Sequence, residues 1–320
     1  MLPRVAVDQA ALAESLVDAI NDLSGRHPGR RAAHAKGTLC AGTFAPSAEA
    51  SALTRAAHMQ SEPVRVTVRF SNGSGDPDAP DGERRDGRGM AIKFYLPDGT
   101  TTDIVSITIP VFFVRDPEEF LGFTRARKPD PDTGEIDMEK IGAFISEHPA
   151  TGAALQLVIP SLVPPRSYAT CAFNSLHAFR LENAAGEGRF ARYRIEPEAG
   201  EETMPDEELE DASPDYLQDE IRERLEREPV RFTLLARLAE EGDPLDDPTA
   251  AWPEEREAVE LGRIELTELD TSRETGDDVL VFDPTRVTDG IECSDDPILH
   301  IRSHAYSVSV ERRSGAPRPA

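Results

Sequence analysis

The hydrophobic positions of this chain change period several times, and each change marks a predicted element. From Asp8 to Asn21, Leu12, Leu16, Ala19 and Ile20 recur at helical spacing, so an amphipathic helix is expected there, broken by His27-Pro28-Gly29. From Val64 the period becomes two: Val64-Arg65-Val66-Thr67-Val68-Arg69-Phe70-Ser71 alternates as a strand with one buried face does. Asn72 to Gly89 is dense in Gly, Asp, Pro and Arg and reads as a long polar loop. Met90 to Tyr95 predicts a second strand, Pro97-Asp98-Gly99 a turn, and Asp103 to Ile109 a third strand ended by Pro110. Val114 to Arg125 reads as a loop and helix, and Ile136 to Glu147 as a further amphipathic helix. More strands are expected at Ser175 to Phe179, Phe190 to Ile195, Val230 to Arg237 and Gly262 to Leu266. The acidic block from Glu201 to Asp215 reads as a solvated loop before a helix over Tyr216 to Arg227. The last segment, Asp295 to Arg312, opens on Asp295-Asp296-Pro297 and predicts a helix. Short strands separated by turns, with helices at the flanks, argue for an α+β fold on an antiparallel sheet or barrel. No linker or repeat divides the chain. Residues 1–320 are expected to form one domain: an N-terminal helix within 1–25, a barrel core over about 31–270 and a final helix over about 295–313.

Composition removes several function classes. The chain has 320 residues, 38% hydrophobic and 30% charged, enough to bury a sizeable core in a soluble protein. No apolar run is long enough to span a bilayer, and Met1 to Asp8 lacks the apolar core of a signal peptide, so a cytoplasmic location is expected. A net charge of -25 excludes a general nucleic-acid binder, which needs a cationic face. Cys40, Cys171 and Cys293 are far apart in sequence, with no C-x-x-C, so free thiols are expected rather than a zinc site or a disulfide framework.

Two segments hold the chemistry-bearing side chains. Arg30-Arg31-Ala32-Ala33-His34-Ala35-Lys36-Gly37 sets one histidine among cations and small residues. Arg302-Ser303-His304-Ala305-Tyr306 puts an arginine and a tyrosine four apart, on one face of a helix. Taken singly, His34 reads as a structural or surface histidine and Tyr306 as a core tyrosine.

Together with the segments between them, they resemble the haem catalases. The resemblance is carried by the His34 segment, by Val68-Arg69-Phe70-Ser71, by Arg88-Gly89-Met90-Ala91-Ile92-Lys93-Phe94-Tyr95, and by Pro110-Val111-Phe112-Phe113-Val114-Arg115-Asp116-Pro117. Gly290-Ile291-Glu292-Cys293-Ser294-Asp295-Asp296-Pro297 and Arg302-x-x-x-Tyr306 complete it, in the family's order, over about residues 31–313. It implies an eight-stranded antiparallel β-barrel with flanking helices and haem b held against it. The chain ends soon after the tyrosine helix, which is similar to the short catalase-related peroxidases that lack the C-terminal catalase domain.

What the resemblance implies makes chemical sense. Tyr306 would be the axial ligand, because an ionised phenol is a strong anionic donor to ferric iron and a neighbouring cation such as Arg302 favours the ionised form. His177 and Asp296 would extend that contact into a hydrogen-bonded relay. On the opposite face His34 would act as general base and then general acid on a peroxide, with Ser71 fixing its tautomer. Arg31, Arg69 and Arg313 would bind the haem propionates, with Arg312 an adjacent alternative to Arg313. Phe120 corresponds to a phenylalanine packed on the distal haem face, a generic core role being the alternative.

One departure matters. Where the family carries Asp-x-Val-Gly-Asn-Asn-Thr-Pro, this chain has Asp103-Ile104-Val105-Ser106-Ile107-Thr108-Ile109-Pro110, which puts Ile107 at the position of the asparagine that assists peroxide binding. The expected activity is therefore a haem peroxidase that uses organic hydroperoxides or hydrogen peroxide with a small organic reductant, and has weak catalase activity at most. The alternatives are a fatty-acid hydroperoxide dehydratase of the allene oxide synthase kind, which needs no reductant, and a β-barrel carrier without chemistry. A monomer or homodimer is expected.

Overall fold

The computed structural model describes residues 8–270 and 280–314. Helix α1 (Gln9–Ser24) opens the described chain, with the Asp8 carboxylate accepting from Ala10 N at 3.0 Å as its N-cap. It buries Ala13, Leu16, Val17 and Ala19. Strand β1 (Gly37–Pro46) and the single turn α2 (Ala50–Leu53) precede β2 (Val64–Asn72), β3 (Arg88–Tyr95) and β4 (Thr101–Ile107). Helices α3 (Pro117–Ala126), α4 (Met138–Glu147) and α5 (Pro149–Ser161) form a block before β5 (Phe173–Asn174), β6 (Phe179–Glu182) and β7 (Gly188–Pro197). Then come α6 (Asp206–Glu210), α7 (Tyr216–Leu225), β8 (Val230–Leu238), β9 (Ala258–Leu269), β10 (Ile291–Cys293) and α8 (Pro297–Arg313).

All strand pairs are antiparallel, and the ladder closes on itself. Passing from β1 through β2, β3, β4, β5, β7, β8 and β9 returns to β1, so eight strands make a barrel, with β6 and β10 appended beside β7. Closure leaves no free edge around the ring. Alternation then decides what each face does. On β2 and β3, Val66, Val68, Phe70, Met90, Ile92 and Phe94 belong to the main apolar core, while Arg69, Ser71, Gly89 and Ala91 border a cavity outside the barrel wall. That cavity lies between the β2–β4 wall and the helices α1 and α8, which pack on each other.

Four elements differ from the sequence pattern. Strand β1 carries Gly37 and Gly42 and small residues that dilute its alternation, yet it sits between β2 and β9; a Cβ at Gly42 would lie 2.0 Å from Glu265 O. Helix α5 shows no periodicity because Ala, Leu, Val and Ile surround it on all sides. The strand expected at Ser175–Phe179 is instead the break between β5 and β6. There Ser175 Oγ accepts from Tyr193 N at 2.8 Å, taking a bond that a strand would give to a carbonyl. Within the acidic block, Asp206–Glu210 folds into one helical turn, its carboxylates at the N-terminal end where the helix dipole favours them. Cys40 and Cys171 are buried thiols and Cys293 a half-buried one, as the spacing predicts.

Candidate active site

The proximal side is built by α8. The Asp296 carboxylate starts the helix, its Oδ1 accepting from Ile298 N at 2.8 Å, with Pro297 in the first turn. Ten residues on, Tyr306 turns to the cavity. Two guanidinium nitrogens of Arg302 donate to its phenol oxygen, Nε at 2.9 Å and Nη2 at 2.6 Å. The third, Nη1, lies 2.9 Å from His177 Nε2, and His177 Nδ1 lies 2.6 Å from Asp296 Oδ2. His177 and Asp296 are each 1% exposed, so the chain Tyr306–Arg302–His177–Asp296 runs from half-buried groups at the cavity to a fully buried inner end. Burial lowers the His177 pKa and the Asp296 carboxylate opposes that. Two cationic donors thus converge on the phenol oxygen.

The distal side faces it. His34 is held in the left-handed region, with φ of 55°, alone among the described non-glycine residues. Its amide donates to Gly73 O at 3.1 Å and its Nδ1 lies 3.0 Å from Ser71 Oγ on β2. No protein hydrogen bond among the described residues uses Nε2. Burial pushes the His34 pKa down to about 3, helped by the charges of Arg69, Arg302 and Arg31, so the imidazole is neutral and able to accept a proton. Behind this loop, Lys36 pairs with Asp81 at 2.9 Å, and Asn72 donates to the same carboxylate at 2.7 Å. Gly89 gives the ring its room, since a Cβ there would stand 2.8 Å from Ser71 Oγ and 3.0 Å from His34 Nδ1.

The cavity between the two sides encloses about 230 Å³. Arg31, Arg69, Arg302 and Arg313 border it and no Asp or Glu does, among the described residues; Val17, Ile20, Val105, Ile107, Phe112 and Leu176 give it apolar walls. Arg31 and Arg313 both donate to Leu280 O, at 2.9 and 3.2 Å.

The expected site residues therefore converge, apart from Phe120. Arg313 borders the cavity, whereas Arg312 is paired at 2.9 Å with Asp18 of α1. Phe120 is not among the cavity-bordering residues. Its ring meets Phe112 edge-on at 5.4 Å, and Phe112 is the one that forms the wall. Thr108, whose hydroxyl accepts from Arg88 N at 3.1 Å, is not among the residues that border the cavity. Four contributors had no advance signal or a weak one. Gly89 is a glycine inside a strand, which flags close approach; Val17 and Ile20 looked like ordinary helix core; the Leu280 carbonyl has no sequence signature.

Residues 13–318 match the family model described as Catalase. The chain belongs to the catalase family. Two catalase-family relatives are named catalase-related peroxidase. One, from Mycolicibacterium paratuberculosis, is 42% identical over 96% of this chain and 96% of its own length; the other, from Synechococcus elongatus, is 34% identical over 94% and 88%. A fungal catalase structure superposes with a TM-score of 0.79 at 24% identity, and a bacterial one with 0.78 at 23%. This chain covers 65% and 62% of those two catalase chains. Catalases are haem-dependent, and the cavity fits such a group. It offers a phenol oxygen backed by a guanidinium on one face, a neutral imidazole on the other, apolar walls, and arginines where carboxylates would be needed.

Proposed function

We propose that this protein is a haem-dependent peroxidase that reduces organic hydroperoxides, or hydrogen peroxide, at the expense of an external two-electron donor, with weak catalase activity. The observation that carries this reading is the Tyr306–Arg302–His177–Asp296 chain standing across one apolar cavity from the His34–Ser71 pair. Tyr306 would hold the iron, and Arg31, Arg69 and Arg313 the propionates of haem b. When bound, the haem would supply the two electrons that cleave the O–O bond and would regain them from the external donor.

The protein's own part is proton handling and exclusion. His34 Nε2 accepts the hydroperoxide proton and returns it to the leaving oxygen, so that ROOH and two donor electrons with two protons give ROH and water. Ser71 holds Nδ1 and with it the ring orientation. Ile107 on the cavity wall offers no amide to orient a second hydrogen peroxide as reductant, which favours peroxidase turnover over dismutation. The arginine-bordered, acid-free cavity supports this reading over a carrier without chemistry.

The test is spectroscopy and turnover of the haem-loaded protein beside Tyr306→Phe. The wild type is expected to show ferric tyrosinate-haem bands that the variant loses, and to consume cumene hydroperoxide only while donor is oxidised. Bands that survive the substitution would refute the ligand. Hydroperoxide loss without donor oxidation would favour a dehydratase, and rapid oxygen release from hydrogen peroxide a true catalase.

A further inference from the structure

Arginines of this chain commonly sit against carboxylates, as Arg55, Arg166, Arg180 and Arg256 do. Arg127, just past the C-terminus of α3, does not. No hydrogen bond or ion pair among the described residues uses its side chain, and its Nε is buried without a partner. The guanidinium lies instead over the rings of Phe123, at 5.0 Å, and Phe113, at 5.6 Å. Burial lowers its pKa, with no carboxylate acting against that. In a chain with 60 acidic residues against 35 basic ones, a half-buried cation left to phenyl faces is out of pattern.

The rings beneath it lead to the cavity. Phe113 lies tilted against Phe112 with centroids 4.3 Å apart, Phe120 meets Phe113 at 5.6 Å and Phe112 at 5.4 Å, and Phe112 forms part of the cavity wall. These three phenylalanines are half-exposed, whereas the barrel phenylalanines Phe44, Phe70, Phe94, Phe173 and Phe232 are completely buried. A cation with open terminal nitrogens thus heads a partly uncovered aromatic surface that ends beside Ile107.

We propose that Arg127 is the subsite for the carboxylate of an amphipathic hydroperoxide, whose apolar chain lies along Phe113, Phe120 and Phe112 and presents its peroxide group in the cavity. This rests on the peroxidase reading for the chemistry at His34. A carboxylate suits the guanidinium fork in two-point contact, and the phenyl faces suit an alkyl or alkenyl chain. The occupant is a free acid rather than a bilayer, because its chain must leave Arg127 along the rings and enter the cavity that Phe112 borders.

The experiment compares a fatty-acid hydroperoxide with its methyl ester on the haem-loaded full chain at saturating donor. Wild type is expected to show a KM about tenfold lower for the acid, the usual effect of one charge-assisted contact. R127Q is expected to bring that ratio to about one. R125Q, which changes an exposed arginine two residues away, is expected to leave the preference in place. A wild-type ratio near one, or its equal collapse in R125Q, would overturn the proposal. A second arm measures calorimetrically the binding of oleate and methyl oleate, neither of which can react. Tighter oleate binding lost in R127Q supports the subsite, and equal binding of the two overturns it. If cumene hydroperoxide is not turned over, the peroxidase reading fails, and the oleate arm still judges Arg127.

Discussion

A base that must be neutral to work can be tested by pH. An ordinary histidine titrates near 6.5, so at pH 5 only about 3% of it is neutral; a group with its pKa at about 3 is about 99% neutral there, a difference of about thirtyfold. His34 belongs to the second case. Burial is the largest cause, with Arg69, Arg302 and Arg31 adding to it. Propionates at Arg31 and Arg69 would offset part of the arginine contribution, while haem filling the cavity would deepen the burial. The perturbation is therefore the buffer alone. The haem-loaded protein is mixed with an uncharged hydroperoxide between pH 8 and pH 4.5, and the second-order rate is followed at the Soret band. The rate is expected to change by less than about threefold over that range. A fall of about thirtyfold by pH 5, with a midpoint near 6.5, would refute the reasoning. Ser71→Ala should lower the rate at every pH without moving the midpoint to 6.5, since the serine orients the ring and burial keeps it neutral.

Three further outcomes follow from the same geometry. His58 is buried beside Phe94, and its pKa is lowered to about 3 by burial alone. The unfolded chain therefore takes up its proton first as pH falls, and the fold loses about 2 kcal/mol at pH 5 relative to pH 8 from this residue; denaturant unfolding of His58→Phe should lack that increment, and parallel losses in both proteins would count against it. Ile107→Asn should raise oxygen release from hydrogen peroxide at least about tenfold on an oxygen electrode, because it restores one positioned polar donor at the cavity wall. Arg313→Ala should speed haem transfer to apomyoglobin about tenfold, whereas Arg312→Ala, which loses only a half-exposed pair with Asp18, should change it less than about twofold.

How much of this was legible in the sequence depends on whether a residue's role is local. Strands β2 and β3 were visible because one face is core and the other is not, which writes alternation into the chain. Strand β1 was not, because Gly42 serves the close approach of β9 and Gly37 that of β2 rather than a pattern. Arg302 and Tyr306 could be paired by helical spacing alone, since both sit on α8. His177 enters from a break between strands 125 residues away, and only family likeness suggested it. Phe120 takes the core role given as its alternative and Phe112 the cavity wall, because ring order along a wall is set by tertiary packing. Arg127 drew no attention in an arginine-rich chain; its isolation is visible only once its neighbours are in place.

The N-cap of α8 and the inner end of the Tyr306 relay are the same carboxylate, Asp296. The helix therefore works as a ruler. Its zero mark is fixed by the Asp296–His177 contact, and its reading, ten residues further on, is where the phenol oxygen stands. At 1.5 Å of rise and about 100° of turn per residue, Tyr306 lies about 15 Å along the axis from that mark. Inserting or deleting one residue between them would swing the phenol by about 100° out of the cavity while leaving the helix intact. The interval 296–306 should accordingly tolerate changes of residue type on its outer face and no change of length.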